Sequence, residues 1–450
     1  MSSIQSISLL PPQFPSIHAC TRIHCVPAGK RPSSSFSASI LSSDSREIVR
    51  FLIRTIHEKE PLARTLSKYV KVIRTEHCFY LFEELGKTEK WLQCLEVFRW
   101  MQKQRWYVAD NGVYSKLISV MGKKGQIRMA MWLFSEMRSS GCRPDTSVYN
   151  SLISAHLHSK DTSKALLKSM VFFEKMKEIP RCSPNLVTYN ILLRAFAQAR
   201  DTTQVNALFL DLSSRSIKPD ITTFNSVMDA YGKNGMIKEM EATLALMKTH
   251  DCKPDTITFN SLIDSYGKKQ EFAKMELVFK SLMKSKEKAT LPTFNSMIVN
   301  YGKARQKESA ERVLKKMVDM GYSPNLITYE SAIMMYGFCG CPFDAREVFD
   351  GMIASRVEVK VSTLNILLDA FCRNDLHAQA YLLLGDLKEN GVLPNTATYK
   401  ALYKAFYKAR RDDLLQKLDK QMERDAVVFD KRNISVHSRD KKYGGRSFEV

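Results

Sequence analysis

The sequence predicts an all-α fold, a solenoid in which about ten helical hairpins stack on one another. Three observations lead to this class: a 35-residue period runs from Glu76 to Asp430, each period carries two amphipathic helical patterns, and turn residues fall at fixed positions in the period. Repeats that cannot bury their own apolar face must stack against their neighbours. We therefore expect one elongated domain, not the roughly three globular domains that length alone would suggest.

The register of the period follows from segments that align without a gap, such as Asp220–Ser226 and Asp255–Ser261. Each repeat has 35 residues except the third, which has 40. The predicted first residues of the ten repeats are Glu76, Asn111, Thr146, Leu186, Ile221, Thr256, Leu291, Leu326, Val361 and Thr396. Positions within a repeat are counted from this first residue, so that Asn225 is position 5 of the fifth repeat.

Apolar residues at i, i+3, i+4 and i+7 predict two helices in every repeat. In the sixth repeat these residues are Phe259, Leu262, Ile263, Tyr266, Met275, Val278, Phe279 and Leu282. Glycine recurs at position 12, as at Gly267 and Gly302, where we expect a positive φ to end the first helix. Threonine recurs at position 3, as at Thr223, and we expect it to cap the first helix.

The segments outside the repeats are short. Residues 1–43 are rich in serine, lack Asp and Glu and contain little arginine, a composition typical of a plastid transit peptide. An ordinary disordered amino terminus is the alternative. We expect residues 44–75 to form a helical cap on the first repeat, and residues 431–450 to form a basic disordered tail. No apolar run of 18 residues occurs in the sequence, so we expect no contact with a membrane.

The formal net charge of +21 favours a polyanionic partner, because Lys and Arg that neutralise phosphates release condensed counterions. Charge alone leaves RNA, DNA, an acidic lipid surface and a merely solvated face open. The cations at position 13 favour a nucleic acid among these partners. Stacking of the repeats would align them along one edge, where they can follow a phosphate backbone. The predicted phosphate contacts are Lys123, Lys233, Lys268, Lys303, Arg373 and Lys408.

Polar residues also recur at position 5 and at the last position of the repeats. Asparagine is a poor residue for a helix interior, so its recurrence at position 5 needs a reason. One reason is an amide offered to the edge of a base, and the alternative is a helix cap. Aspartate at the last position could equally be a turn residue. The predicted base-recognition residues are Ser115, Asp145, Asn150, Asn185, Asn190, Asp220, Asn225, Asp255, Asn260, Thr290, Asn295, Asn325, Asn365 and Asn395.

The repeating unit Asp-x-x-Thr-Tyr/Phe-Asn-Ser-Leu-Ile, with Tyr-Gly-Lys further on and Met-x-x-x-Gly-x-x-Pro-Asp/Asn at its end, resembles the P-class pentatricopeptide repeat of plant organellar RNA-binding proteins. The resemblance covers residues 76–430. It implies a right-handed superhelical monomer in the chloroplast stroma that binds about ten nucleotides of single-stranded RNA. Segments 91–106 and 231–241 resemble a chloroplast member associated with an intron-containing glycine tRNA precursor.

In that family, position 5 and the last residue of each repeat together select one base, and the RNA runs parallel to the protein. The resemblance then implies guanine for the pair Ser115 with Asp145, and a pyrimidine for the pair Asn260 with Thr290. It implies uracil for two pairs, Asn190 with Asp220 and Asn225 with Asp255. It implies cytosine for three pairs, Asn150 with Asn185, Asn295 with Asn325 and Asn365 with Asn395. Tyr80, Lys400 and Glu330 with Lys360 match no common pair. The implied site is 5′-N-G-C-U-U-Y-C-N-C-N-3′. Position 2 stacks on the bases in this family, which here implies Val187, Ile257 and Ile327.

The sequence favours a binding protein over an enzyme. It lacks the signatures of a zinc deaminase, a metal-dependent nuclease and a phosphate-binding loop. Cys142, Cys182 and Cys252 recur at one register position as small core residues, so we expect neither a metal nor a cofactor. The expected function is to stabilise a chloroplast transcript and assist its processing or splicing, alone or with protein factors. The alternative is a helical-repeat scaffold for protein partners.

Overall fold

The computed structural model describes residues 62–88, 90–159, 161–389 and 393–429. All regular structure in these residues is helical, and none of it is strand, which confirms the all-α class. The transit peptide predicted for residues 1–43 and the tail predicted for residues 431–450 lie outside the described residues. Of the cap region predicted for residues 44–75, the structure describes one complete helix, α1 (Leu62–Lys68).

The chain forms two compact units, the first ending at Pro184 and the second beginning at Asn185. After α1, the first unit contains α2 (Thr75–Lys87), α3 (Trp91–Gln102), α4 (Asn111–Lys123), α5 (Ile127–Ser139), α6 (Thr146–Leu157), α7 (Thr162–Glu178) and a 3₁₀-helix (Pro180–Cys182). The second unit contains α8 (Leu186–Gln198), α9 (Thr202–Ser214), α10 (Ile221–Lys233), α11 (Ile237–Thr249), α12 (Thr256–Lys268), α13 (Phe272–Lys284), α14 (Leu291–Lys303), α15 (Lys307–Asp319), α16 (Leu326–Phe338), α17 (Pro342–Ala354), α18 (Val361–Arg373), α19 (His377–Glu389), α20 (Thr396–Lys408) and α21 (Asp412–Arg424).

Each predicted repeat is a pair of helices, with an even-numbered helix first and an odd-numbered helix second. The first helix of a repeat begins at the predicted residue from Asn111 onward, and α2 begins one residue early, at Thr75. The longer third repeat places its additional residues in α7, which has 17 residues, and in the 3₁₀-helix that follows. The prediction of about ten hairpins is therefore confirmed.

Seven of the first helices are capped by the side chain of the last residue of the preceding repeat, so the expectation that threonine at position 3 is the cap was wrong. The Asp220 carboxylate accepts a hydrogen bond from the Thr223 backbone N–H at 2.8 Å. The Thr223 hydroxyl in turn accepts from the Asp220 backbone N–H at 3.3 Å, which completes a capping box. The same reciprocal pair joins Asp255 to Thr258. Threonine is thus the partner of the cap.

The expectation of a positive φ at position 12 was also wrong. The left-handed residues lie three positions later, at Arg200, Gly235, Gln270 and Arg305, each two residues after a first helix ends. Position 12 lacks a side chain because the first helix of the next repeat passes very close. A Cβ added to Gly302 would lie 2.7 Å from the Met335 Cα.

Apolar side chains fill the space between the two helices of each repeat and the repeats beside it. In the sixth repeat the predicted apolar positions belong to this core, with Ile263, Met275 and Leu282 fully buried and Phe259 and Val278 partly buried. Burying one such side chain stabilises the fold by about 1.5 to 3 kcal/mol. Because one apolar core runs through the fifth to eighth repeats, no hairpin of this stretch is stable by itself.

Tyrosine hydroxyls at position 11 connect neighbouring repeats of the second unit. Tyr266 in α12 donates a hydrogen bond to Glu241 in α11 at 2.8 Å, and Tyr336 in α16 donates to Glu311 in α15 at 3.0 Å. Burial, reinforced by the hydrogen bond to Glu311, raises the pKa of Tyr336 to about 12. The hydroxyl therefore stays protonated and remains a donor to the carboxylate, a contact worth about 1.5 to 3 kcal/mol.

The close approach at position 12 predicts that Gly302→Ala destabilises the protein. Alanine gains roughly 1 kcal/mol of helix propensity over glycine, but overpacking against a neighbouring backbone costs about 1 to 3 kcal/mol. We expect the overpacking term to dominate, because the Met335 backbone cannot rotate away as a side chain could. The measurement is the urea concentration at the midpoint of unfolding, which should fall.

Gly351→Ala is the matched control. Gly351 also lies inside a helix, α17, but apart from the adjacent backbone of that helix no described atom lies within 4 Å of the place where its Cβ would be. This substitution should raise the midpoint slightly, since only the gain in propensity applies. Equal midpoints for Gly302→Ala and the wild type would show that the helices separate at little cost, contrary to the packing described.

Candidate nucleic-acid interface

Position 5 of one repeat, the last residue of that repeat and position 3 of the next form one hydrogen-bonded group. In the fourth repeat the Asn190 amide donates to the Asp220 carboxylate at 3.1 Å. The Asn190 amide oxygen accepts from the Thr223 hydroxyl at 2.7 Å. The group therefore joins α8 to the amino terminus of α10, and it fixes which way the amide points.

The fifth repeat reproduces this arrangement. Asn225 donates to Asp255 at 3.1 Å and accepts from the Thr258 hydroxyl at 2.6 Å. The carboxylate at the last position is thus both a helix cap and a partner of the amide. Desolvation by burial would raise the pKa of Asp220, but hydrogen bonds from Thr223 and Asn190 outweigh it and lower the pKa below its ordinary value. Asp220 consequently carries its negative charge at neutral pH.

The sixth repeat has a weaker version of the group. Thr290 replaces the carboxylate, and its hydroxyl lies 3.5 Å from the Asn260 amide nitrogen, at the limit of a hydrogen bond. The Asn260 amide oxygen still accepts from the Thr293 hydroxyl, at 2.6 Å. The hydrogen bond from Thr293 therefore still fixes the orientation of the Asn260 amide, while the amide N–H groups are largely free to donate elsewhere.

The seventh and ninth repeats differ, because asparagine stands at both positions. The Thr328 hydroxyl donates to its own cap, Asn325, at 3.0 Å and not to the position 5 amide. The amide oxygens of Asn295 and Asn365 are buried and accept no hydrogen bond from the described residues. An unsatisfied buried acceptor is costly, which makes these two atoms candidates for contact with a ligand.

The remaining predicted pairs are less complete. The Ser115 hydroxyl donates to the Gly112 carbonyl at 3.0 Å, while the Asp145 carboxylate caps α6 by accepting from the Val148 N–H at 3.0 Å. Asn150 lies on α6 in the first unit. Asn185 begins the second unit, where its side chain caps α8. Asn395 caps α20 with its side-chain oxygen.

Apolar side chains at position 2 lie on the surface, so packing in the core does not explain why these residues are apolar. Val187, Ile257 and Ile327 are 55%, 61% and 59% exposed. Pro292, which was not among the predicted residues, occupies the same position in the seventh repeat and is also exposed. Its register position was the signal that could have identified it.

Two open clefts in the second unit bring these residues together. The cleft of the sixth repeat is lined by Ile257, Asn260 and Lys268 and closed on its far side by Pro292. The cleft of the seventh repeat begins at that same Pro292 and is lined further by Asn295, Asn325, Lys303 and Ile327. Each cleft therefore has an exposed apolar residue on either side, an amide between them and a lysine.

The cations at position 13 are partly neutralised. The Lys233 ammonium lies 2.6 Å from the Asp229 carboxylate, and Lys268 is paired with Asp264 in the same way. In the seventh repeat Val299 occupies position 9, where the fifth and sixth repeats have aspartate, and the exposed Lys303 has no such partner. Arg373 is paired with Asp369 at 2.5 Å. Lys123 and Lys408 are the exposed last residues of α4 and α20.

These acidic partners could have been found from sequence, since aspartate four residues before a cation on a helix is a recognised pairing. Such exposed pairs contribute little stability, typically less than about 1 kcal/mol. Their larger effect is on charge: each pair is close to neutral and attracts a phosphate less than a free lysine would.

Among the described residues, no group of three or more His, Cys, Asp or Glu side chains could hold a metal ion. No helix in the described ranges is long and apolar enough to cross a membrane.

The fold defines a helical-repeat protein, and two of its repeats, the sixth and the seventh, carry a similar cleft. Family models described as the PPR repeat family match residues 109–158, 144–198, 184–230, 219–268, 290–340 and 359–408. A second model, described as the PPR repeat, matches residues 257–286 and 327–357. The chain belongs to the pentatricopeptide repeat (PPR) family.

Relatives of known name support this assignment. The maize protein "Pentatricopeptide repeat-containing protein PPR5, chloroplastic" is 66% identical over 405 residues, which cover 90% of this chain and 81% of the maize protein. The rice protein "Pentatricopeptide repeat-containing protein PPR5 homolog, chloroplastic" is 66% identical over 177 residues, 39% of this chain and 36% of the rice protein. The chain thus aligns with only about a third of the rice relative's length.

A solved structure supports the fold. The PPR protein PPR10, in complex with an 18-nt psaJ RNA element, superposes with a TM-score of 0.59 and 17% identity. The superposition covers 89% of this chain and 66% of that one. At this level of identity the likeness concerns the arrangement of helices and not the ligand.

Proposed function

We propose that this protein binds single-stranded RNA in the chloroplast stroma and reads about one base per repeat. The observation that carries the proposal is the repeated cleft, in which two apolar side chains flank an amide and a cation. Apolar and aromatic surfaces stack on unpaired bases, polar groups read their Watson–Crick edges, and cations meet phosphates. A groove for a peptide would not need the same polar pair in successive repeats.

The net charge and the homologous proteins support the proposal. The net charge of +21 suits a polyanion, and the maize and rice relatives carry the word chloroplastic in their names. The PPR10 structure contains RNA bound to that protein. The transit peptide predicted for residues 1–43 agrees with the proposed compartment.

The hydrogen bonds suggest why different pairs would prefer different bases. In the fourth and fifth repeats threonine occupies the amide oxygen, so a free N–H remains to donate to a carbonyl, as uracil offers. In the seventh and ninth repeats the buried amide oxygens of Asn295 and Asn365 accept no hydrogen bond from the described residues, so a small turn of the side chain toward the cleft would let them accept from the cytosine amino group. We therefore keep the assignment 5′-N-G-C-U-U-Y-C-N-C-N-3′.

Binding alone is sufficient for the proposed action. A protein that occupies a segment of a transcript blocks exonucleases at its edge and prevents competing base pairs within it. Both effects would stabilise the transcript and assist its processing or splicing, and an intron-containing tRNA precursor is the proposed target. Splicing or processing factors are candidate protein partners, and no reacting group is required.

Asn225→Ser tests the base assignment. With Asp255 retained, it gives the fifth repeat the same pair as Ser115 with Asp145 in the second repeat. The preference at the fifth nucleotide should move from uracil to guanine by about 1 to 3 kcal/mol, measured by equilibrium binding to RNAs that differ only there. Preferences at the fourth nucleotide, read by Asn190 with Asp220, serve as the internal control. If the fifth nucleotide still favours uracil, the register is wrong.

Removing the acidic partners tests the role of position 13. The double substitution Asp229→Asn and Asp264→Asn releases Lys233 and Lys268 from their ion pairs. We expect tighter binding to all RNAs alike and a steeper dependence on salt, because more free cations then displace counterions. Val299→Asp is the converse variant and should weaken binding by giving Lys303 a partner. A change in base preference, with unchanged salt dependence, would contradict a phosphate-contacting role.

A further inference from the structure

The eighth repeat departs from the others at both base-reading positions. Glu330 stands at position 5 in place of asparagine, and Lys360 is the last residue in place of aspartate or asparagine. This reverses the chemistry of the pair: an amide that donates and accepts is replaced by a carboxylate that only accepts. A cap that accepts is replaced by an ammonium that only donates.

The Glu330 carboxylate is held in the place that the amide occupies elsewhere. Its Oε1 accepts hydrogen bonds from the Ser362 hydroxyl at 2.7 Å and the Thr363 hydroxyl at 2.8 Å. Thr363 is position 3 of the next repeat, the equivalent of Thr223 and Thr258. Two hydroxyl donors fill the lone pairs of Oε1, whereas Oε2 accepts no hydrogen bond from the described residues. One oxygen is therefore anchored and the other is available.

Lys360 is free to act as a donor. It precedes α18 as the N-cap residue, but its side chain makes no capping hydrogen bond. The residue is exposed, and its ammonium forms no ion pair within the described ranges. The negative Glu330 near the amino terminus of α18 offsets the missing anionic cap, because anions are favoured there. The two charges therefore flank the place where the fourth and fifth repeats present amide and carboxylate.

We propose that the eighth repeat reads guanine, with Glu330 accepting from the base and Lys360 donating to it. This proposal rests on the proposed function of RNA binding. Guanine carries two adjacent donors, N1–H and N2–H₂, side by side on one edge, where they can share one acceptor, and its O6 beside them accepts from an ammonium. Charge-assisted hydrogen bonds of this kind are roughly twice as strong as neutral ones.

The other three bases fit this pair less well. Uracil has one N–H between two carbonyl oxygens, and a carboxylate repels both of these oxygens. Cytosine and adenine each have one amino group beside a ring nitrogen whose lone pair also faces the carboxylate. Only guanine satisfies the free Oε2 with two donors. The implied site becomes 5′-N-G-C-U-U-Y-C-G-C-N-3′.

The test uses the full chain and four RNAs of the implied site that differ only at the eighth nucleotide. We expect guanine to bind about tenfold or more tightly than uracil at fixed salt, the range that one well-placed base contact supplies. Two further RNAs, altered only at the fourth and fifth nucleotides, report whether the Asn190 and Asn225 repeats read bases at all. Equal binding of all four RNAs, with discrimination retained at the fourth and fifth nucleotides, overturns the guanine assignment and leaves the proposed function standing.

Two variants separate a base-reading role from a merely structural one. The double substitution Glu330→Asn and Lys360→Asp, with Thr363 in place, rebuilds the group of Asn190, Asp220 and Thr223, and should turn the preference at the eighth nucleotide from guanine to uracil. Glu330→Gln keeps the shape and an oxygen for Ser362 and Thr363 but replaces the free acceptor by a donor, and should abolish the preference for guanine.

A structural role predicts something different for the same variants. If Glu330 only supports α18, both variants should weaken all four RNAs equally and leave their order unchanged, and that outcome overturns the proposal. Loss of discrimination at every nucleotide in the wild-type protein would instead overturn the proposed function itself. Asn225→Ser again serves as a control, since it should leave the eighth nucleotide unaffected.

Discussion

The interaction on which the rest of the structure depends is the helix cap that the last residue of most repeats provides. In the fourth and fifth repeats the last residue accepts from the backbone N–H of position 3 in the next first helix, and it also accepts from the position 5 amide of its own repeat. One residue therefore fixes where a helix begins and how the preceding amide is oriented. A protein that reads bases with single amides needs that orientation fixed before RNA arrives, since ordering it on binding would cost affinity.

Much of this architecture could be predicted from sequence, because the signals recur ten times in one register. The starts of the first helices and the apolar positions of the core follow from local patterns that repetition reinforces, whereas the position 2 residues were identified through the family resemblance. What could not be predicted depends on residues far apart in the chain. Thr223 contacts Asn190 across 33 residues, and Gly302 is glycine because of Met335. Neither relation is visible within one repeat, so the cap and the glycine were both misinterpreted.

The clefts also show that the repeats are not equivalent. The amides of Asn190 and Asn225 each donate one N–H to aspartate and accept from threonine. Asn295 and Asn365 keep a buried acceptor without a partner among the described residues, and Glu330 replaces the amide by a charge. The cations vary too, since Lys233 is paired with aspartate and Lys303 is not. We infer that base specificity and attraction for phosphates are distributed unevenly along the array. The seventh repeat combines a buried acceptor that has no partner among the described residues, a lysine without the usual aspartate, and apolar residues on both sides.

The most direct test of the central claim is equilibrium binding of the full chain, at one fixed salt concentration, to three oligonucleotides. These are the single-stranded RNA of the implied site, an RNA of the same composition in scrambled order, and the DNA version of the site. Base reading by the repeats predicts tight binding to the intended RNA and much weaker binding to the scrambled RNA. Equal, weak and salt-sensitive binding to all three would contradict it, because only the net positive charge would then remain as the cause of binding.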